Sequence, residues 1–214
     1  MVYNLGETNS IANQFLMELR DERLQQDQMR FRNNMRRLGC IMAYEISRTL
    51  TVKSTSVQTP LAAMDMSVLN EQPVLVTIMR AGVPYFQGFV EFFDQAECGF
   101  IGAYRKKGTE EVTINLEYLT TPPVKDSTII LIDPMLATGK SFVKAAQELL
   151  DHGRPKHIHI AALVSAPEGI DFVSENMPVP WSIWTFAIDQ KLNDHAYIVP
   201  GLGDAGDLSY GRKV

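Results

Sequence analysis

The sequence predicts an α/β fold with a parallel sheet, a helical N-terminal region and a β-hairpin flap. Short apolar runs that end in loops recur from residue 74 to residue 188, and an amphipathic helical pattern lies between two of them. One run, Thr128–Ile132, is apolar almost throughout, as expected of a strand that is buried on both faces. Strands that alternate with helices form right-handed βαβ units. Ligands of such sheets bind at the carboxyl ends of the strands, so the residues after each strand are the candidates for function.

The spacing of apolar residues assigns the individual elements. It predicts two helices between Ile11 and Leu50, followed by a polar connector at Thr51–Pro60. Ser141–Leu150 is predicted to be an amphipathic helix, with Gly153 placed to end it. The predicted strands are Val74–Met79, Gly99–Tyr104, Thr128–Ile132, Ile158–Val164 and Ser182–Ile188.

The segment between the second and third predicted strands is long, charged and interrupted by Pro122 and Pro123. Residues 112–118 within it alternate as in a strand, so we predict a projecting hairpin or flap at 105–126. The length of 214 residues suits a single domain, 1–214. Within it we distinguish an N-terminal helical region at 1–60 and a C-terminal segment at 189–214.

Composition limits the class of partner and the compartment. With 20 basic and 25 acidic residues the formal net charge is −5, which argues against non-specific binding to nucleic acid. The two cysteines, Cys40 and Cys98, are too few for a disulfide framework or a zinc cluster, and they indicate a reducing compartment. Met1–Ser10 lacks the apolar core of a signal peptide, and no run is apolar enough to span a membrane. We therefore expect a cytoplasmic protein without membrane partners.

The junction at Ile132–Ser141 joins the buried strand to the amphipathic helix and carries the first candidate site. It ends in Gly-Lys-Ser, but Pro134 stands where a nucleotide-binding P-loop requires a glycine. Ala137–Ser141 can instead bind a phosphate through backbone N–H groups at a helix N-terminus and through hydroxyl groups. Asp133 precedes this loop and could accept hydrogen bonds from sugar hydroxyls. The pattern thus describes either a ribose-phosphate site or a capped turn without a ligand.

Asp133–Gly139 (Asp-Pro-Met-Leu-Ala-Thr-Gly) resembles the signature of the phosphoribosyltransferases, in the variant typical of the uracil phosphoribosyltransferase family. Ile78–Gly82 resembles the diphosphate-binding loop of that family, and Tyr197–Asp207 resembles its C-terminal uracil-binding segment. The resemblance runs nearly from end to end. Smaller matches are Leu19–Asp21, Tyr44–Glu45, Tyr104–Arg105, Ala166–Gly169, Asp189 and Asn193.

This resemblance implies a phosphoribosyltransferase-type core and a pentosyltransferase of pyrimidine salvage. The implied reaction is uracil plus 5-phospho-α-D-ribose 1-diphosphate giving UMP and diphosphate, with Mg²⁺ held mainly by the substrate and water. The implied catalytic residues are Arg80, Arg105, Asp133 and Asp204. The ribose diphosphate is expected to contact these four residues and Pro134, Met135, Leu136, Ala137, Thr138, Gly139, Lys140 and Ser141. Uracil is expected to contact Ile198, Gly203, Asp204 and Ala205, mainly through the backbone.

Each of these roles has a chemical basis in the sequence. A guanidinium such as that of Arg80 binds phosphate in bidentate fashion, although an arginine after a strand can also be a surface ion-pair partner. Arg105 opens the flap and could close over the departing diphosphate, or could be a charged loop residue. The glycine-rich segment at 201–206 offers backbone donors and acceptors that match uracil. It would reject cytosine, because mismatched polar groups would be buried unpaired.

The sequence departs from the family pattern at two places. Lys140 stands where a small residue, commonly glycine, is usual, which matters if the backbone there needs a positive φ. Lys106–Thr109 replaces a more acidic stretch after the arginine of the flap. The family also suggests a homodimer or larger assembly, and GTP activates some members. The arginines between 30 and 37 are candidates for that effector or another anion, or else a solvated helix face.

Two other functions stay open on the same fold: a non-catalytic regulator that binds RNA, and an enzyme for another base. The net charge of −5 argues against the first, which needs a basic face. His157 and His159 share one face of a predicted strand, as a metal pair or, more plainly, as satisfied imidazoles. His195 lies near the proposed base-binding segment with no assigned role. Trp181 and Trp184 are expected to pack in the core or at an interface.

Overall fold

The computed structural model of the protein describes residues 1–105 and 114–212. Its strands are β1 (Val2–Asn4), β2 (Val52–Gln58), β3 (Ala63–Leu69), β4 (Val74–Met79), β5 (Cys98–Arg105), β6 (Ile114–Thr120), β7 (Thr128–Ile132), β8 (Met135–Leu136), β9 (His157–Ala161), β10 (Val164–Ser165), β11 (Trp181–Thr185), β12 (Ala187–Ile188), β13 (Lys191–Leu192) and β14 (Ile198–Val199). Its α-helices are α1 (Ile11–Arg20), α2 (Gln28–Ser47), α3 (Gly82–Phe92), α4 (Lys140–Leu149), α5 (Pro167–Asn176) and α6 (Ala205–Tyr210). Short 3-10 helices occur at Leu5–Glu7, Leu24–Gln26 and Leu150–His152.

Seven of these strands form the central sheet, in the order β1-β11-β9-β7-β4-β5-β6. All neighbours in it pair in parallel except β6, which runs antiparallel to β5 at the edge. The prediction of an α/β fold with a parallel sheet is confirmed. Because β4, β5, β7, β9 and β11 run in the same direction, their carboxyl ends lie along one edge of the sheet.

Helices cover both faces of the sheet, and β7 shows why its sequence is apolar throughout. Ile130 and Ile132 belong to the core formed with α1, α2 and α3, whereas Ile129 and Leu131 belong to the core formed with α4 and α5. All four side chains are fully buried. Burying one side chain of this size stabilises the fold by about 1.5–3 kcal/mol, so each face gains from the alternation.

Two glycines allow α2 and α3 to pack backbone against backbone. A Cβ atom at Gly88 would lie 2.2 Å from the carbonyl oxygen of Arg36, and one at Gly39 would lie 2.2 Å from that of Tyr85. No amphipathic stripe marks α3 in the sequence, because its apolar residues surround most of the helix.

The polar connector predicted at Thr51–Pro60 is wrong. Residues 52–58 form β2, which pairs antiparallel with β3 from Val52↔Leu69 to Gln58↔Ala63. The hairpin is exposed on both faces, so its sequence lacks the alternation of apolar and polar residues by which a half-buried strand is recognised. The strands predicted at Ile158–Val164 and Ser182–Ile188 also end sooner than predicted: β9 ends at Ala161 and β11 at Thr185.

The chain continues beyond these two ends into a small parallel sheet, β8-β10-β12, at the carboxyl edge of the central sheet. In the predicted flap, Ile114–Thr120 pairs with β5 as the edge strand of the central sheet, and residues 106–113 lie outside the described part of the chain. Within residues 1–105 and 114–212, the helices are all too short or too polar to cross a lipid bilayer.

Candidate active site

Three segments predicted to carry the chemistry meet at the carboxyl edge of the sheet. Arg80 follows β4 and Asp133 follows β7, its neighbour in the sheet. A Cβ atom at Gly82 would lie 2.3 Å from Thr77 Oγ1 and 2.9 Å from the carbonyl oxygen of Ile132, so the start of α3 rests on the ends of both strands. A Cβ atom at Gly206 would lie 3.7 Å from Arg80 Nη2, which brings the C-terminal segment to the same place.

The loop between β7 and α4 is an ordered turn at a helix N-terminus. Asp133 Oδ1 accepts a hydrogen bond from the Met135 N–H at 3.0 Å, and the Asp133 N–H donates to the Ala161 carbonyl at 3.2 Å. The N-cap residue of α4 is Gly139, which has no side chain to cap the first turn. The N–H groups of that turn therefore keep their capacity to bind an anion, as the sequence predicts for Ala137–Ser141.

Gly139 supplies the unusual backbone conformation of this loop. Its φ is +74°, and a Cβ atom there would lie 2.6 Å from the carbonyl oxygen of Gly169 at the start of α5. Lys140 is the first residue of α4 and is not among the described residues with positive φ. The lysine at this unusual position therefore causes no backbone strain.

Arg80 contacts the C-terminal segment through its guanidinium group. Its Nη2 donates to Asp207 Oδ1 at 2.9 Å, and its Nη1 lies 3.5 Å from the carbonyl oxygen of Gly211. Both side chains of the ion pair are about one-third exposed, so a ligand can reach them. The peptide bond between Met79 and Arg80 is cis. The small size of Gly82 is required by packing within the protein, against Thr77 and the carbonyl oxygen of Ile132.

The C-terminal segment is an ordered loop. β13 and β14 pair antiparallel, and Gly201 and Gly203 then adopt φ values of +60° and +91°. Asp204 Oδ1 accepts a hydrogen bond from the Asp207 N–H at 3.0 Å and so caps α6. Of the residues predicted to contact uracil, Ile198 and Ala205 are buried and Gly203 is exposed.

Two charged residues that carry no predicted catalytic role hold this loop in place. Arg20, the last residue of α1, donates from Nη2 to Asp189 Oδ1 at 2.8 Å and from Nη1 to Oδ2 at 2.9 Å. Arg20 Nη1 also donates to the Gly201 carbonyl at 3.0 Å, and the Gly201 N–H donates to Asp189 Oδ2 at 2.9 Å. Only the resemblance of Leu19–Asp21 and Asp189 to the family pointed to these residues.

Arg105 ends β5, whose carboxyl end lies at the same edge as those of β4 and β7. Its side chain and the atypical stretch Lys106–Thr109 lie outside what the structure describes. The predicted role of Arg105 over the diphosphate therefore stays a prediction.

The arginine cluster on α2 is engaged within the protein. Arg36 donates to both oxygens of Glu91 on α3, at 2.6 and 2.8 Å, and Arg32 donates to the Ser209 carbonyl at 2.7 Å. Arg30 pairs with Glu18 and Asp27, and Arg37 contacts Asn34 and the ring of Phe15. An anion at this cluster would have to replace these contacts.

The two strand histidines are satisfied by neighbours in the sheet. Ser182 Oγ lies 2.7 Å from His159 Nδ1 and 3.1 Å from His157 Nε2. Trp184 Nε1 donates to the same oxygen at 3.2 Å, and its ring stacks on that of Tyr3. Burial lowers the pKa of His159 to about 3, so this imidazole is neutral near pH 7. The cluster lies towards the amino ends of β9 and β11, away from the carboxyl ends that carry Arg80 and Asp133.

The chain is similar to known proteins over its whole length. The family model described as Uracil phosphoribosyltransferase matches residues 7–211. A uracil phosphoribosyltransferase of Porphyromonas gingivalis is 46% identical over 214 residues, which is 100% of this chain and 99% of the relative. A uracil phosphoribosyltransferase of Pyrococcus furiosus is 35% identical over an alignment that spans 100% of this chain and 91% of the relative. The solved structure of the AQ2163 protein from Aquifex aeolicus superimposes with a TM-score of 0.88 at 28% identity, covering 100% of both chains.

Proposed function

The chain belongs to the uracil phosphoribosyltransferase family, and we propose that the crevice between Arg80, the loop 133–141 and the segment 197–207 is its active site. As a member of this family it is a pentosyltransferase that transfers a phosphoribosyl group to uracil and thereby salvages the base as a nucleotide. The observation that supports the location is the meeting of these three segments, 50 or more residues apart in the chain, at one edge of the sheet.

The 5-phosphate of 5-phospho-α-D-ribose 1-diphosphate fits the N-terminus of α4. The N–H groups of Ala137–Ser141 and the hydroxyls of Thr138 and Ser141 would donate to it, and the helix dipole favours its charge. Of the predicted contacts beside this loop, Met135 is partly exposed and would line the sugar, whereas Pro134 is buried and Leu136 is fully buried in the core beneath α4. Lys140 adds a cation at the same helix end, which suits a dianion.

In the reaction, the bond from C1 of the ribose to the diphosphate breaks, a bond from C1 to N1 of uracil forms, and the N1 proton of uracil leaves to the diphosphate or to water. An oxocarbenium-like transition state, as in glycoside cleavage, needs no side-chain nucleophile. Asp133 would accept hydrogen bonds from the ribose hydroxyls and hold the ring in place. Arg80 and, as predicted, Arg105 would meet the negative charge that develops on the leaving diphosphate.

The residues of the crevice fit a hydrated Mg²⁺, which prefers carboxylate and phosphate oxygens and usually keeps several waters. Asp133 and Asp204 offer carboxylates, and the residues predicted for this site include neither cysteine nor histidine. Most of the ligands would come from the substrate and water. When bound, the ion would neutralise the diphosphate and make it a better leaving group.

Selectivity for uracil would follow from the backbone of the C-terminal segment. Ile198, Gly203, Asp204 and Ala205 would present N–H and C=O groups to the base, and the positive φ values of Gly201 and Gly203 turn the chain between them. Cytosine carries an amino group where uracil carries an acceptor oxygen. The amino group of cytosine would therefore face a backbone N–H, and both of these buried donors would be left unpaired. Unpaired buried polar groups weaken binding strongly.

The proposal is tested by incubating the purified protein with Mg²⁺, the ribose diphosphate and one free base at a time, and by following diphosphate and nucleotide. UMP should form from uracil, and cytosine and purines should give no product. A chelator should abolish turnover, and added Mg²⁺ should restore it. If uracil yields no nucleotide while another base does, the specificity is wrong. If the protein instead binds RNA with strong salt dependence and shows no turnover, the regulator hypothesis replaces this one.

We further propose a homodimer or larger assembly, a cytoplasmic location and no membrane or nucleic-acid partner. Met64, Met66 and Val68 are exposed along one face of the β2–β3 hairpin, which supports self-association. Cys40 and Cys98 are free, and burial raises the pKa of both thiols, as suits a reducing compartment. Light scattering on the purified protein measures the assembly, and a monomeric mass would contradict it. Activation by GTP stays a prediction, checked by adding GTP to the same assay.

A further inference from the structure

Arg20 and Asp189 fix both backbone groups of one residue in the segment that reads the base. The Gly201 N–H donates to Asp189 and the Gly201 carbonyl accepts from Arg20, while the two charged groups bond each other in bidentate fashion. The Asp189 side chain is 7% exposed and that of Arg20 is 23% exposed. Charge-assisted bidentate bonds of this kind fix geometry as well as contributing energy.

Gly201 occupies a position at which small shifts matter. It stands between Ile198 and Gly203, both predicted to contact uracil, and its φ of +60° sets the direction of the chain between them. A Cβ atom there would lie 2.2 Å from the Ile198 carbonyl oxygen. The next residue, Leu202, is held as well, because the amide of Gln25, in the orientation that satisfies its neighbours, donates to its carbonyl at 2.9 Å.

A base that is recognised through the backbone depends on where that backbone is held. Side-chain identity alone cannot set the spacing of N–H and C=O groups along residues 198–205. Their position must come from contacts made elsewhere, and those contacts come from the end of α1, which is 169 residues away from Asp189 in the chain. A misplacement of about 1 Å at a reactive centre can cost roughly a hundredfold in rate.

We propose that Arg20 and Asp189 are positioning residues that determine uracil affinity and base selectivity by clamping Gly201. This inference rests on the proposed function of the crevice, and it adds a pair of side chains that act through the backbone instead of touching the base. The loop 133–141 stands on β7 and α4, so the clamp acts on the base and leaves the phosphate loop in place. The effect of breaking it should therefore fall mainly on uracil and much less on the ribose diphosphate, to which the clamped segment contributes only Asp204.

The test compares Arg20→Lys, Arg20→Gln and Asp189→Asn with the parent protein. The lysine keeps the charge but loses the two-pronged geometry, and the asparagine keeps the shape but loses the charge. Lys156→Gln is the matched control, because it breaks an exposed ion pair with Glu71. This pair lies at the amino end of β9, away from the carboxyl edge of the sheet. For each protein we would measure the thermal midpoint, the KM for each substrate, and the ratio of kcat/KM for uracil to that for cytosine.

The KM for uracil should rise about tenfold to a hundredfold in Arg20→Gln and Asp189→Asn, and less in Arg20→Lys. The KM for the ribose diphosphate should change less than about threefold, a difference too small for the loss of a charged hydrogen bond. The ratio of uracil to cytosine should fall, and the control should match the parent.

Three outcomes would overturn the inference. The first is an unchanged KM for uracil and an unchanged base ratio in variants that fold. The second is a lowered thermal midpoint with normal kinetics of the folded protein, which is a purely structural role. The third is an equal rise of both KM values. Failure of the proposed function is seen separately, as a parent protein that makes no UMP, and it removes the premise of the clamp too.

Discussion

The side chain of Asp133 is oriented by the loop it belongs to. Its Oδ1 accepts the Met135 N–H, so the carboxylate is directed by a turn within its own loop, directly after β7. An asparagine can accept the same hydrogen bond and keep the turn, but it carries no negative charge. This separates the chemical role of the residue from its structural one.

Asp133→Asn should lower kcat/KM for the ribose diphosphate by roughly 10- to 100-fold, because hydrogen bonds from the ribose hydroxyls to a charged acceptor are lost. Steady-state kinetics at saturating uracil measures the effect. Asp151→Asn, at an exposed position after α4, is the control and should leave the rate unchanged. Kinetics equal to those of the parent would refute the role of Asp133.

Arg80 has a partner before any diphosphate arrives. If Arg80 binds the diphosphate as proposed, its bond to Asp207 must be broken or shared. We expect Asp207→Asn to lower the KM for the ribose diphosphate up to about fivefold, the range of an exposed ion pair. The difference from the parent should shrink at high salt, since salt screens exposed charges. A higher KM in the variant would mean that Asp207 orients Arg80 for binding.

At the scale of elements, burial decides what could be predicted from the sequence. Thr128–Ile132 was assigned with its observed limits, because a strand covered on both faces shows an uninterrupted apolar run. β2 was missed because neither of its faces is buried, and α3 was missed because it is apolar on most sides. The turn between β7 and α4 is predictable because its sequence pattern is local, whereas the bonds between Arg20 and Asp189 join residues that only folding brings together.

The contact between α2 and α3 is an element-scale feature with a clear prediction. Gly88→Ala would place a Cβ atom 2.2 Å from the Arg36 carbonyl oxygen and 2.4 Å from the Cys40 nitrogen. The helices would have to separate, at a cost of about 1–3 kcal/mol or more in the free energy of unfolding. Urea denaturation measures it. Gln87→Ala, at the neighbouring exposed position of α3, should be neutral or slightly stabilising. An unchanged denaturation midpoint in Gly88→Ala would contradict this packing.

At the scale of the whole molecule, the two edges of the sheet differ in chemistry. The carboxyl edge carries the proposed anion site, whose charge is met by local amides and arginines. The protein as a whole has a net charge of −5, so its overall field does not attract the substrate. The region towards the amino ends of β9 and β11 carries His157 and His159, both with a pKa lowered mainly by burial.

The stability of the whole protein should therefore fall on mild acidification. The pKa of His159 is about 3 when folded and near 6.5 when exposed, so the unfolded chain binds a proton that the folded protein does not. The contribution of His159 to the free energy of unfolding is complete above pH 6.5 and is lost as the pH falls towards 3. Between pH 7 and pH 5 the loss is about 2 kcal/mol or less.

Urea midpoints at pH 7 and pH 5 measure this dependence. His159→Gln should flatten it, whatever the variant does to stability at pH 7, and His152→Gln at the exposed end of a 3-10 helix should keep the parent's dependence. An equally steep loss in His159→Gln would show that other groups cause the acid sensitivity.

The pairing of Val2–Asn4 with Ile183–Thr185 has a consequence for how the molecule is made. A ribosome adds about 5–20 residues per second, so the 169 residues between Arg20 and Asp189 take roughly 10–30 s to synthesise. During that time the first strand has left the ribosome without β11, the strand it pairs with, whereas α1 can already pack on α2. A nascent chain of this protein thus carries an unpaired first strand until β11 has been made, and the contacts of Arg20 with Asp189 and Gly201 form later still.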